Sequence, residues 1–236
     1  MKTRIVLASF ALCACAALAQ EAGFKSLFNG KDLTGWDGNP ALWSVKDGAI
    51  TGVTGTNAEN KISHNTFLVY TNGDVDDFEL RFSYKITESG NSGVQYRSKV
   101  FEKGKFGPII GGYQADFEGK KTYSGILYEE KMRGILAQRG QKTVIKEDNG
   151  KTKVEVAGSV GDSKEIQSKI KPEDWNDYVI IAKGNHLRHF INGMQTVDVV
   201  DEQEKKAAKS GVIALQIHAG PPMAVQFKNI RLNSLK

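Results

Sequence analysis

Three short stretches of this 236-residue chain carry polar side chains in i, i+2 pairs among apolar or small neighbours. They are Gln95 and Arg97 in GNSGVQYRS, Gln114 and Asp116 in GGYQADFEG, and Gln216 and His218 in GVIALQIHAGPP. Strand side chains alternate between two faces, so each pair points one way. Val94 and Tyr96, then Tyr113, Ala115 and Phe117, then Ile213, Leu215 and Ile217 point the other way. A face turned only to solvent usually carries Lys, Glu, Thr and Ser. Gln, Arg, Asp and His are the types that make directed hydrogen bonds and, in the last two cases, move protons. If the three strands are neighbours, the pairs form one polar patch on a rigid sheet, and function is expected there.

The elements that must hold such a patch are strands. Residues 78–86 alternate Phe78, Leu80, Phe82, Tyr84 and Ile86 with Glu79, Arg81, Ser83 and Lys85, the pattern of a strand with one buried face. Residues 178–182, 187–191 and 196–200 read as three more, parted by Lys183-Gly184-Asn185 and by Asn192-Gly193, a favoured hairpin turn. A short hairpin is expected over 43–51 with its turn at Asp47-Gly48, and 224–232 offers Val225, Phe227, Ile230 and Leu232 to a core. The one helical turn is expected over 202–209. Residues 141–170, rich in Lys, Glu, Gly and Ser, read as a long loop or an exposed hairpin, a candidate lid. Many strands with regular turn signals predict two packed antiparallel sheets.

Residues 1–19 have the layout of a secretory signal: Lys2 and Arg4, an apolar run too short to span a bilayer, and Ala17-Leu18-Ala19 before Gln20. Cys15 offers a lesser reading as a lipoprotein, and an uncleaved anchor is a further alternative. Both cysteines, Cys13 and Cys15, fall in this segment, so residues 20–236 have no disulfide, thiolate metal site or cysteine nucleophile. About 215 residues suit one all-β domain. Removing residues 1–19 takes the formal charge from +5 to +3. With no basic stripe interleaved with aromatics, nucleic acid is not an expected partner, nor is a membrane unless the chain is lipidated.

Longer phrases carry a resemblance. FKSLFNGKDLTGW (24–36), WSVKDGAITG (43–52), FELRFSYKI (78–86), GNSGVQYRS, GGYQADF and SGILYEE (124–130) are followed by WNDYVIIAKGNHLRHFINGMQTVDVVD (175–201) and GVIALQIHAGPPMAVQFKNIRL (211–232). Together they resemble the 3-keto-disaccharide hydrolase family, also described as 3-keto-glucoside-1,2-lyase/3-keto-2-hydroxyglucal hydratase domains. The resemblance implies an all-β, concanavalin A-like (jelly-roll) antiparallel β-sandwich. It also implies a secreted or periplasmic bacterial protein acting on oxidised glycosides, with a partner oxidoreductase as the natural source of the keto sugar. The 141–170 segment is longer than the family pattern.

In a 3-keto sugar the carbonyl acidifies the C2 proton. Its removal gives an enediolate that expels the C1 substituent, and water can add back to the enone, so the net result is hydrolysis. This needs a base near C2, a stabiliser for the C3 oxygen and a donor for the leaving oxygen. His218 is the first candidate base, since a free imidazole titrates near 6.5. Asp116 competes for that role, or binds a divalent metal with Glu118; the sequence establishes no cofactor. Arg97 is the expected anion stabiliser, with a structural pair to Asp116 or Glu129 as the alternative. Gln95, Gln114 and Gln216 suit sugar hydroxyls. Tyr128, Glu129 and Arg139 complete the expected substrate contacts.

Other readings compete. A retaining glycosidase would use paired carboxylates such as Asp116 with Glu118 or Glu129, but the Glu-x-Asp-x-x-Glu run common in sandwich glucanases is absent. A non-catalytic carbohydrate-binding module would use the same fold. Asp74, Asp76 and Asp77 form an acidic loop that could take calcium. His186 and His189 lie on opposite faces of one strand and make poor joint ligands. Trp36, Trp43 and Trp175 are expected in the core, with Trp175 opening a buried strand.

Overall fold

The computed structural model describes residues 22–235; the secretory-signal reading of residues 1–19 lies outside them. Along the chain run β1 (Lys25–Ser26), β2 (Trp36–Asp37), β3 (Trp43–Lys46), β4 (Ala49–Val53), β5 (Thr66–Tyr70), β6 (Phe78–Ile86), β7 (Asn91–Gly104), β8 (Gly107–Glu118), β9 (Leu127–Glu130) and β10 (Gly134–Ala137). There follow β11 (Gln141–Asp148), β12 (Lys151–Ser159), the helix α1 (Ser163–Ser168), β13 (Asn176–Lys183), β14 (His186–Ile191), β15 (Met194–Asp201), β16 (Val212–Ile217) and β17 (Ala224–Ser234).

They form two sheets. The first has the order β12-β11-β15-β14-β13-β6-β17-β4-β3, with β1 also on β17; the second runs β10-β9-β8-β7-β16-β5-β2. All pairings are antiparallel except β11 with β15. The result is an antiparallel, jelly-roll-type β-sandwich, as expected. Apolar side chains from both inner faces fill the space between the sheets. Aromatic rings bridge it: Tyr84 of β6 stacks on Phe117 of β8 at 3.9 Å, and Phe78 meets Tyr96 edge-on at 5.8 Å.

Local sequence explains the tight turns. Asp47-Gly48, Asn149-Gly150 and Asn192-Gly193 all take positive φ at both positions, the requirement of the two-residue hairpin turn whose twist matches the strands. Asn149-Gly150 makes an exposed hairpin of β11 and β12, so 141–159 is ordered strand rather than loop. The expected helical turn at 202–209 is only a single turn, in which Lys206 N and Ala207 N donate to Gln203 O. The helix lies at Ser163–Ser168 instead, where Asp162 caps the N–H groups of Lys164 and Glu165 at 2.9 and 2.8 Å.

Among the register shifts, one in β17 and one in β7 change which side chains face the core and the site. In β17 the register shifts between Lys228 and Arg231, with Asn229 at φ 56°. This lets Val225 and Phe227 and then Ile230 all face the core despite their odd and even numbers. In β7 the register shifts between Tyr96 and Lys99, with Arg97 at φ 48°. The second bulge decides the composition of the site. Trp36 and Trp43 are buried as expected. Trp175 is not a core residue: it is half-buried, with Lys228 Nζ at 3.8 Å and Lys85 Nζ at 5.3 Å from its ring centroid.

Candidate functional site

The three glutamines do share one face, the outer side of the second sheet, because β8, β7 and β16 are consecutive there. Gln95 and Gln114 are cross-strand partners. Gln95 Nε2 donates to Gln114 Oε1 at 2.7 Å, and Gln216 Nε2 donates to the same oxygen at 2.9 Å. Ser98 Oγ closes the row on Gln95 Oε1 at 2.6 Å. None of the three glutamines is more than 2% exposed. They are therefore not free amides waiting for sugar hydroxyls, as the sequence suggests, but a bonded floor. Gly93, opposite Asp116 in β7, is needed for this packing: a Cβ there would stand 2.6 Å from the Gln114 side chain.

Asp116 rises from the same face. It is 7% exposed, and its Oδ1 has no hydrogen-bond partner. Burial pushes its carboxyl well above the usual carboxylate range; the charges of Glu118 and Glu130 push the same way, against hydrogen bonds from Phe117 N–H and the Gln114 amide. Tyr128 of β9 is the cross-strand partner of Gln114 and is half-buried. Its hydroxyl is raised by burial and then by Glu130 and Asp116.

Glu130, two residues on, shares the face of Tyr128. Burial raises its carboxyl, while Asn65, Lys131 and His218 oppose the shift. Asn65 Nδ2 approaches the two Glu130 oxygens at 3.5 and 3.4 Å, and Asn65 Oδ1 accepts from Ala219 N at 3.0 Å, so one side chain ties β9 to the segment after β16. His218 sits in that segment, half-buried, with Nδ1 2.6 Å from Ala219 O. A carbonyl only accepts, so Nδ1 carries the hydrogen and Nε2 holds the lone pair of the neutral ring.

Asp116, Tyr128, Glu130, Asn65 and His218 are thus gathered over the glutamine floor. Sequence reading missed Asn65 and Glu130. The alternation rule that selects Tyr128 also selects Glu130, but Glu130 stands in a charged run, Glu129-Glu130-Lys131, with the look of an exposed turn. Asn65 lies just before a strand and carries no signal of its own.

Arg97 is elsewhere. The bulge turns it off the face of Gln95, and its guanidinium, 1% exposed, is spent on loops at the sheet end. Nε donates to Asp76 O at 2.6 Å, Nη1 to Gly184 O at 2.6 Å and Ala208 O at 3.3 Å, and Nη2 to Asp77 Oδ1 at 2.8 Å. Its partner is Asp77, not Asp116 or Glu129, and Asp77 also accepts from Gly184 N at 2.8 Å. The acidic loop proposed for calcium therefore has one carboxylate engaged with an arginine. Among the described residues no three His, Cys, Asp or Glu side chains stand close enough to hold a metal ion.

Glu129 also departs from the expected set. It is the cross-strand partner of Tyr113 and faces inward, where Arg133 grips it with Nε on Oε2 and with Nη2 on Oε1 at 2.9 Å. Arg133 Nη2 also holds Asp201 Oδ2 at 2.6 Å, and Tyr113 donates its hydroxyl to the same carboxylate. Arg139 is consumed by backbone: Nε reaches Ser163 O at 3.1 Å, Nη1 Ser124 O at 2.7 Å and Nη2 Lys121 O at 3.0 Å. His189 is buried between Tyr96 Oη at 2.9 Å and Tyr178 Oη at 3.3 Å, and His186 pairs with Asp198 at 2.7 Å, so the two do lie on opposite faces.

Comparison with known proteins places the chain in a family. Residues 23–233 match the model of the 3-keto-alpha-glucoside-1,2-lyase-like domain, so the chain belongs to that family. A 91-residue stretch, 36% of this chain and 31% of the relative, is 30% identical to a 3-keto-disaccharide hydrolase of Bacteroides thetaiotaomicron. The stretch they share is thus under a third of that curated relative's length. Among solved structures, a provisionally named glycosyl hydrolase of Parabacteroides distasonis superposes with a TM-score of 0.56 at 23% identity, over 91% of this chain and 94% of the other. The carbohydrate-binding module CBM66 of Bacillus subtilis does so with a TM-score of 0.51 at 16% identity, over 85% and 96%. These two likenesses bear on the fold.

Proposed function

We propose that the protein cleaves 3-keto-glycosides by abstraction of the C2 proton and elimination at C1, with rehydration giving net hydrolysis. The observation that carries the reading is Asp116: a buried carboxyl with one unpartnered oxygen, close enough to Tyr128 and Glu130 for their charges to act on one another. Family membership supplies the substrate class. Two titratable groups in different surroundings divide the acid and base roles.

His218 Nε2 takes the proton from C2, and the electron pair moves into the enediolate. The Tyr128 hydroxyl donates to the C3 oxygen as it gains charge. When the enediolate collapses, the C1–O bond breaks and the leaving oxygen takes the proton of Asp116, whose affinity for it burial raises. The Asp116 carboxylate then activates a water to add at C1, and protonated His218 returns a proton to C2. Glu130, held by Asn65, carries its carboxyl toward the segment that holds His218. Arg97 has no part in these steps. On this proposal residues 1–19 lead the protein out of the cytoplasm, and an oxidoreductase acting at C3 supplies the substrate.

The test is release of aglycone from a 3-oxidised glucoside. His218→Ala and Asp116→Ala should each lower kcat/KM by more than about 100-fold. Turnover surviving both substitutions refutes the assignment. Saturable sugar binding without turnover in the unsubstituted protein refutes catalysis and leaves a binding module.

A further inference from the structure

A second cavity, of about 540 Å³, opens at one end of the sandwich, where the turn after β8, helix α1 and the segment before β13 meet. Its volume is that of an ordinary small-molecule site. Two of its wall residues carry polar atoms that are buried and have no hydrogen-bond partner, Tyr84 Oη and Gln167 Oε1. Tyr84 itself is 1% exposed. Buried polar groups are nearly always satisfied, so two orphans in one cavity wall need a reason. Neither belongs to the chemistry described above.

The charge of this cavity is opposite to that of the outer face. Lys120 and Lys121 after β8, Lys164 of α1, Lys171 before β13 and Arg139 all line it; only Glu118 and Glu173 oppose them. Glu118 is already engaged, its Oε1 accepting from Thr122 N at 2.7 Å and Tyr123 N at 2.9 Å. Arg139 binds loop carbonyls on both sides and so fixes the wall rather than the ligand. What remains is four lysines, a hydroxyl that donates or accepts and an amide oxygen that accepts only, all in one cavity wall.

We propose that this cavity binds a hexuronate: the carboxylate lies among the lysines, and ring hydroxyls donate to Gln167 Oε1 and pair with Tyr84 Oη. An inorganic anion would satisfy the lysines and leave Gln167 Oε1 without a donor. A neutral hexose would satisfy the two orphans and forgo the charge. Glu118 borders both places, but neither orphan has a role in the steps proposed above, so the site stands whether or not the protein is a lyase.

The experiment is calorimetric titration of the full chain with glucuronate, glucose and sulfate. Glucuronate should bind at least about tenfold more tightly than glucose or sulfate, about 1.4 kcal/mol. Lys121→Glu with Lys164→Glu, both exposed positions, should weaken glucuronate about tenfold or more and leave glucose unchanged. Tyr84→Phe should weaken glucuronate while leaving the free protein at least as stable, since the hydroxyl it removes is unpaired. Undetectable glucuronate binding at millimolar concentration, equal binding of glucose or of sulfate, or indifference to the lysine reversals overturns the proposal. Glucuronate affinity unchanged in a folded Tyr84→Phe protein overturns it as well.

Discussion

Asp116→Asn should make the protein more stable and less active, and the pH dependence of that gain identifies its cause. Asp116 is buried, lacks a partner for Oδ1, and faces the charges of Glu118 and Glu130. Its folded-state proton affinity is raised, so its contribution to stability is most favourable below the unfolded value, about 3.9, and is lost as pH rises through the folded value. Above the folded value the wild type carries this cost, and an isosteric amide does not. A buried polar group left unsatisfied costs about 1–3 kcal/mol, more when charged. The amide forfeits part of the acceptance from Phe117 N–H and Gln114, so a net gain of about 2 kcal/mol is expected, or roughly 4–8 °C in Tm for a chain of this size. Melts of both proteins at pH 4 and pH 8 measure it: the difference should be near zero at pH 4 and grow toward pH 8, while aglycone release falls more than about 100-fold. An Asn variant less stable than wild type at pH 8, or a gain independent of pH, refutes the account of Asp116 as a strained, proton-retaining carboxyl.

Three further outcomes follow from the same geometry. His189, which burial holds down at about 3, contributes stability that is complete above about 6.5 and lost as pH falls toward 3; between pH 7 and 4.5 this amounts to about 2–3 kcal/mol, and His189→Gln should flatten that part of the urea-denaturation profile. Arg97→Ala should destabilise by about 3 kcal/mol or more, as expected for breaking a buried charge network, yet leave kcat of the folded fraction within about threefold, checked by active-site-normalised rates under conditions where the variant is folded. Gly93→Ala should cost about 1–3 kcal/mol through overpacking against Gln114 and lower kcat/KM; thermal melts and the aglycone assay together check it.

Much of the architecture was legible because alternation is a strong local signal: β6 covers the residues from Phe78 to Ile86 that the pattern marks. The polar patch was legible at Gln95, Gln114, Asp116 and Gln216 for the same reason. Alternation fails at a bulge, which depends on how neighbouring strands accommodate one another. The bulge at Arg97 removed the most chemically suggestive residue of the motif from the face it was assigned to. Glu129 and Glu130 show the converse limit. Both are carboxylates, and only pairing with β8 reveals that one faces Arg133 and the other the open patch. The mutual engagement of the three glutamines was hidden because strand order is a long-range property.

The glutamine floor also has a direction. Hydroxyl donates to amide at Ser98 and Gln95, and amide donates to amide at Gln95 and Gln114, whose one oxygen also accepts from Gln216. The dipoles run head to tail, so each bond polarises the next. Reversing any one amide would set donor against donor or acceptor against acceptor along the row. The row thus has a fixed polarity running from the bulge in β7 toward β8 and β16. Ser98 lies at its far end, yet its hydroxyl helps set the orientation of amides two strands away.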